Sequence, residues 1–179
     1  MQVVEARATS GTSALVCLAD RIATACAGPM DALQDDVLTA LRTWACRPRL
    51  LSPEQMQGRA DGYARHLLHA DPSGRFAVVS IVWRPGQCTP IHAHYTWCGY
   101  AVVAGSLHEE GYAWTHTLGA VRSAGRADRS AGYACFGHAG VDAVHRLGNR
   151  TDAEAVSVHV YGVDAPRVAT HVNRIVTAI

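Results

Sequence analysis

The stretch that most constrains this chain runs from the Pro85-Gly86 pair to Gly105. It carries two histidines, His92 and His94, two positions apart, and then an apolar run, Tyr100-Ala101-Val102-Val103-Ala104. Side chains of an extended strand alternate, so both imidazoles project from one face. Two imidazoles side by side on a strand offer a transition metal half of what it needs, and a third donor must come from elsewhere in the fold. The same pattern also suits two ordinary strand histidines, so the rest of the chain decides between the readings.

Length and charge narrow the classes. The chain has 179 residues, enough for one domain with its own core, spanning 1–179. A net charge of +1, a charged fraction of 17% and no Lys/Arg run give no electrostatic case for nucleic acid or an acidic membrane. No apolar segment is long enough to span a bilayer. Met1-Gln2-Val3-Val4-Glu5-Ala6-Arg7 lacks the pattern of a secretory leader. The expectation is a soluble cytoplasmic protein, a monomer or small homo-oligomer. Cysteines 17, 26, 46, 88, 98 and 135 show no CxxC spacing, hence neither a disulfide framework nor a zinc knuckle. Cys17, Cys26 and Cys46 fall on helical patterns and read as small core residues.

Taken in order, residues 1–11 form a lead-in. Leu15, Leu18, Ile22 and Ala25 recur at helical spacing from Thr12 to about Ala27, and Gly28-Pro29 stops that helix. Asp31 is placed to cap a second helix bearing Leu33, Val37, Leu41 and Trp44, and Ser52-Pro53-Glu54-Gln55 to start a third. From Tyr63 the period shortens. Strands are expected at 76–83, 97–105, 107–115, 117–122, 133–136, 143–147, 155–163 and 169–176, while Gly125–Ser130 is the most loop-like interior stretch. Helices followed by many short strands suggest a mainly β protein, a small barrel or jelly roll (63–179) with a helical N-terminal cap (1–62).

A third donor appears downstream at His145, with Gly140 before it and Asn149 after it. Gly-x5-His-x-His-x3-ligand-x6-Gly followed by Gly-x4-His-x3-Asn is the two-part cupin signature. Gly86, His92, His94, Cys98 and Gly105 fit its first half; Gly140, His145 and Asn149 fit the second, without its usual proline. The chain therefore resembles a cupin whose metal ligands would be His92, His94 and His145. Cys98 stands where most cupins carry a ligating Glu, which leaves a neutral three-histidine site with more positions open to exogenous ligands.

The last clear strand, Val156-Ser157-Val158-His159-Val160-Tyr161, alternates strictly. If its valines pack outward, Ser157, His159 and Tyr161 line the interior and can form a hydrogen-bonded relay. An exposed polar face on an edge strand is the other reading. With this row in view, the chain from about Tyr63 to Val163 resembles the cysteine dioxygenase family. The resemblance implies an Fe(II) enzyme that adds both atoms of O2 to a small thiol, giving a sulfinic acid. It implies iron at His92, His94 and His145, and a Ser157–His159–Tyr161 relay with the phenol beside substrate and oxygen. It also allows a thioether between Cys98 and Tyr161. Arg65 takes the position that holds the carboxylate of cysteine in one subgroup; Gln stands there in the subgroup preferring 3-mercaptopropionate. Arg presents a charged planar fork that suits a carboxylate. Leu67–Asp71, Trp83-x-Pro85-Gly86-Gln87 and Trp97 look more like the Gln type. The reading leans to cysteine, with Arg65, Tyr63 and Trp97 as substrate contacts. 3-Mercaptopropionate or another small thiol is the alternative, and a non-catalytic metal-binding cupin sensor is the alternative of another class. The competing role for Arg65 is an ion pair with Asp61 or Asp71. His66, His69, His108, His116, His138 and His171 are expected on the surface or in loops, and Trp44, Trp83 and Trp114 in the core.

Overall fold

The computed structural model describes residues 13–117 and 119–178. The lead-in 1–11 and Thr12 lie outside them. Two helices come first, α1 (Ala14–Ala27) and α2 (Leu33–Trp44), followed by ten strands. They are β1 (Ala64–Ala70), β2 (Ala77–Trp83), β3 (His92–His94), β4 (Cys98–Ala104) and β5 (Ser106–Thr115). β6 (Ala120–Ser130), β7 (Ala134–Gly137), β8 (Gly140–Gly148), β9 (Ala155–Tyr161) and β10 (Asn173–Ile175) complete the set. They form two five-stranded antiparallel sheets, ordered β1-β2-β9-β4-β7 and β10-β3-β8-β5-β6.

The first sheet is covered on both faces, which is why β2 and β9 are buried at every position. Its outer face carries Phe76, Val78, Ala101, Val158 and Val160, packed with Leu18, Ile22, Val37 and Leu41 of the helices. Its inner face carries Val79, Ile81, Trp83, Tyr100 and Val102, packed with Leu107 and Leu147 of the second sheet. The valines of β9 thus point outward and Ser157, His159 and Tyr161 inward, as the alternation predicts. Gly86 and Gly105, the ends of the first signature half, have φ of +82° and +70°, where a side chain is strained. A Cβ at Gly105 would also stand 2.9 Å from the Glu154 carbonyl.

Several expectations change. Ser13 caps α1 through its hydroxyl, but α2 starts on Ala32 with no side-chain cap, so Asp31 does not serve. The third helix is one 3₁₀ turn, Glu54–Met56. Gln55 does reach back to the Ser52 amide (3.0 Å), yet no apolar face follows to bury, and the chain turns extended at Gln57. Residues 125–130 belong to β6, paired to β5 from end to end; its residues are mostly exposed, so they show no apolar alternation. Cys46 is exposed rather than in the core. His66, His69 and His108 sit on strands, and His108 is half-buried against Asp128 (2.8 Å).

Candidate metal centre

β3 is only three residues long, and it presents His92 and His94 between β8 on one side and β10 on the other. His145 of β8 is the direct partner of His92 across the ladder. Ring centroids lie 4.7 Å (92–145), 5.0 Å (92–94) and 5.2 Å (94–145) apart, with the planes tilted against one another. One ligand atom from each of the three lies within 4.8 Å of the others. The three imidazoles expected from the motif converge on one point.

The donor set fits a transition metal. The Nδ1–H of His92 donates to the Pro90 carbonyl (3.0 Å) and that of His145 to Glu109 Oε1 (2.8 Å), which leaves Nε2 of each as its free donor atom. His94 Nδ1 is buried with no hydrogen-bond partner among the described residues. Burial, then repulsion from His145, pushes His92 down to about 3 and His94 to about 2, so both stay unprotonated and available as donors. Glu109 was not foreseen: it is one of many acidic residues on strands, and only the fold brings it to His145. Burial raises its carboxyl, but the His145 and Arg129 contacts outweigh that and hold it at about 2. Cys98 is buried and lies outside the cluster of donor atoms. Burial, with Cys135 and Glu109 nearby, drives its thiol well up, so it stands beside the centre as a thiol.

The interior row of β9 forms the relay. Trp83 Nε1–H donates to Ser157 Oγ (2.9 Å), which meets His159 Nε2 (2.8 Å), and His159 Nδ1 meets Tyr161 Oη (3.2 Å). Burial, then the charges of His145, Arg65 and His92, holds His159 well below the usual imidazole range. Burial raises the Tyr161 phenol, so it remains a hydrogen-bond donor. Cys98 and Tyr161 are direct partners across β4 and β9.

These groups share one narrow cavity of about 20 Å³, lined by Arg65, Trp83, His92, His94, Cys98, His145, His159 and Tyr161 among others. Arg65 lines it from β1, on the same sheet face as Ile81 and Ser157, its partners in successive strands, and remains solvent-exposed. Neither suggested carboxylate takes it: Asp61 pairs with Arg59 and Asp71 with Arg75. Its Nη2 donates to Tyr63 Oη (3.1 Å), and its guanidinium lies 5.2 Å over the Tyr63 ring. Trp97 does not line this cavity. It is out of phase with Cys98 and packs against the helical side, stacked on Phe136 (5.7 Å) and lying over Gly162, where a Cβ would be 2.1 Å from its indole nitrogen. Asn149 is structural: its amide nitrogen donates to the carbonyls of Trp83 (2.9 Å) and Ala153 (2.7 Å).

The profile of the cysteine dioxygenase type I family matches residues 57–173, more than half of the chain. The chain belongs to the cysteine dioxygenase type I family. That membership indicates a thiol dioxygenase, and the match contains all three histidines of the cluster. Similar solved structures include a double-stranded β-helix domain protein from Klebsiella pneumoniae subsp. pneumoniae, 17% identical over 66% of this chain and 88% of that one, TM-score 0.51. Another is a Cupin 2 conserved barrel domain protein from Salinispora arenicola, 18% identical over 69% and 94%, TM-score 0.47. At 17% identity the likeness to the first of these concerns the fold alone. Among the described residues of this cysteine dioxygenase family member, no helix is long and apolar enough to cross a membrane.

Proposed function

We propose that this protein is an Fe(II)-dependent dioxygenase that converts L-cysteine and O2 to cysteine sulfinic acid. The observation that carries the reading is one cavity holding three clustered histidines, a buried phenol and an arginine with no carboxylate partner among the described residues. Iron bound at His92, His94 and His145 would supply the redox chemistry that joins both oxygen atoms of O2 to a thiol sulfur. Arg65, steadied by Tyr63, binds the substrate carboxylate through its planar fork and so orients the thiol toward the histidines. Tyr161 keeps its proton and donates a hydrogen bond to the reacting oxygen or sulfur, while His159 and Ser157 hold it in place. Ile81 and Leu147 help keep water from the cavity.

One observation favours the second reading. No carboxylate lines this cavity among the described residues, so the ammonium of cysteine has no ion partner there. 3-Mercaptopropionate offers the same carboxylate and thiol without the amine. Protein loaded anaerobically with Fe(II) is given each thiol in air, with oxygen uptake and product mass followed together. The expected product carries two added oxygens, made faster from cysteine. Sulfinate from neither thiol, with metal bound, would leave a metal-binding cupin without dioxygenase activity.

A further inference from the structure

We propose that Trp83 is a positioning residue that sets the proton direction of the Ser157–His159–Tyr161 row and couples it to the Arg65 end of the cavity. The proposal deepens the function proposed above and rests on Tyr161 and Arg65 being the groups that meet substrate. Trp83 and Ser157 are both fully buried. An indole N–H can only donate, so Ser157 Oγ must accept it (2.9 Å). The hydroxyl proton of Ser157 then has one recorded acceptor among the described residues, His159 Nε2 at 2.8 Å. A neutral imidazole that accepts at Nε2 carries its proton on Nδ1. Nδ1–H therefore donates to Tyr161 Oη (3.2 Å), and the phenol's own proton is left for the cavity. Ser157 Oγ keeps a second lone pair, so the indole acts by filling one of the directions the hydroxyl proton could otherwise take. Without it that proton can turn away from Nε2, Oγ accepts from Nε2–H, the row reverses, and the Tyr161 proton turns back onto His159.

The other side of the indole supports the second end of the cavity. Its ring lies 4.8 Å from that of Tyr63, tilted by 34°, and Tyr63 Oη receives Arg65 Nη2. One side chain thus touches both the relay and the support of the carboxylate clamp.

Two variants separate these contacts. Trp83→Phe keeps an aromatic ring against Tyr63 and removes the donor; kcat should fall about 10–100-fold with little change in the KM for the thiol. Trp83→Leu removes both contacts and should raise that KM as well. Independently of turnover, ¹⁵N NMR of histidine-labelled, metal-free protein reads the tautomer of His159. The expected result is Nδ1–H in the wild type and a shift toward Nε2–H in Trp83→Phe. Nε2–H in the wild type, or an unchanged tautomer in Trp83→Phe, overturns the proposal. Should Trp83→Phe not fold, benzothienylalanine at position 83, which keeps the ring shape and lacks the N–H, makes the same comparison. Because the tautomer is read without turnover, a protein that oxidises no thiol would count against the proposed function and leave this result standing.

Discussion

At the scale of single residues, the centre divides into groups set by spacing and groups brought in by folding. His92, His94 and His145 were legible because a strand imposes alternation, Gly86 and Gly105 bracket the first half of the signature, and Gly140 and Asn149 bracket the second. Glu109 and Trp83 were not, since they meet their partners 36 and 74 positions along the chain, across strands that no local pattern pairs. Trp97 was misplaced because its nearness in sequence to Cys98 hides the opposite direction of its side chain. Two substitutions test these roles. Arg65→Gln should lose most activity on cysteine and shift preference toward 3-mercaptopropionate, read as kcat/KM for each thiol; unchanged ratios would remove Arg65 as the selector. Glu109→Ala should leave the fold intact and weaken metal binding about 10–100-fold, measured by competition with a chelator, because His145 loses the carboxylate that orients its ring.

At the scale of elements, strands with two covered faces or a clean apolar period were legible, and those held mainly by backbone pairing were not. β6 illustrates the second kind: Arg122 to Ser130 is mostly exposed and polar, and its ladder with β5 alone makes it a strand. The β1–β2 turn shows how a buried charge pins an element. Asp71 is almost wholly buried, accepts from the Arg75 amide (3.0 Å) and takes both Nε and Nη2 of its guanidinium (each 2.9 Å). The Arg75 contact holds its carboxyl at about 2 against an ordinary 3.8. The folded-state value is depressed, so the stabilisation is complete above pH 3.8 and lost as pH falls through about 2. Asp71→Asn should cost about 1.5–3 kcal/mol at neutral pH by urea denaturation. Its deficit relative to the wild type should shrink between pH 4 and pH 2; a constant deficit would assign the loss to packing.

At the scale of the whole molecule, the helical layer is part of the core although the family match begins only at residue 57. α1 and α2 cover Phe76, Val78, Val158 and Val160, whose neighbours on the same strands shape the cavity. A chain beginning at Ser52 should therefore bind an apolar dye and aggregate, checked by dye fluorescence and light scattering; a monomeric, dye-free fragment would show that the layer is dispensable. The general plan was legible because the period changes sharply near Tyr63, whereas the sheet order depends on long-range pairing that periodicity does not encode. One such pairing has a consequence for biogenesis. β3 is flanked by β8 and by β10, with the Tyr95 amide bonded to the Val172 carbonyl (2.9 Å) and the Val176 amide to that of Ile91 (3.1 Å). During translation, the segment bearing two of the three imidazoles lacks its outer neighbour until residue 176 has cleared the ribosome. The three imidazoles therefore take their final setting only once residues 173–176 have paired with β3, and a chain stalled before that point should show a looser cluster of the three histidines.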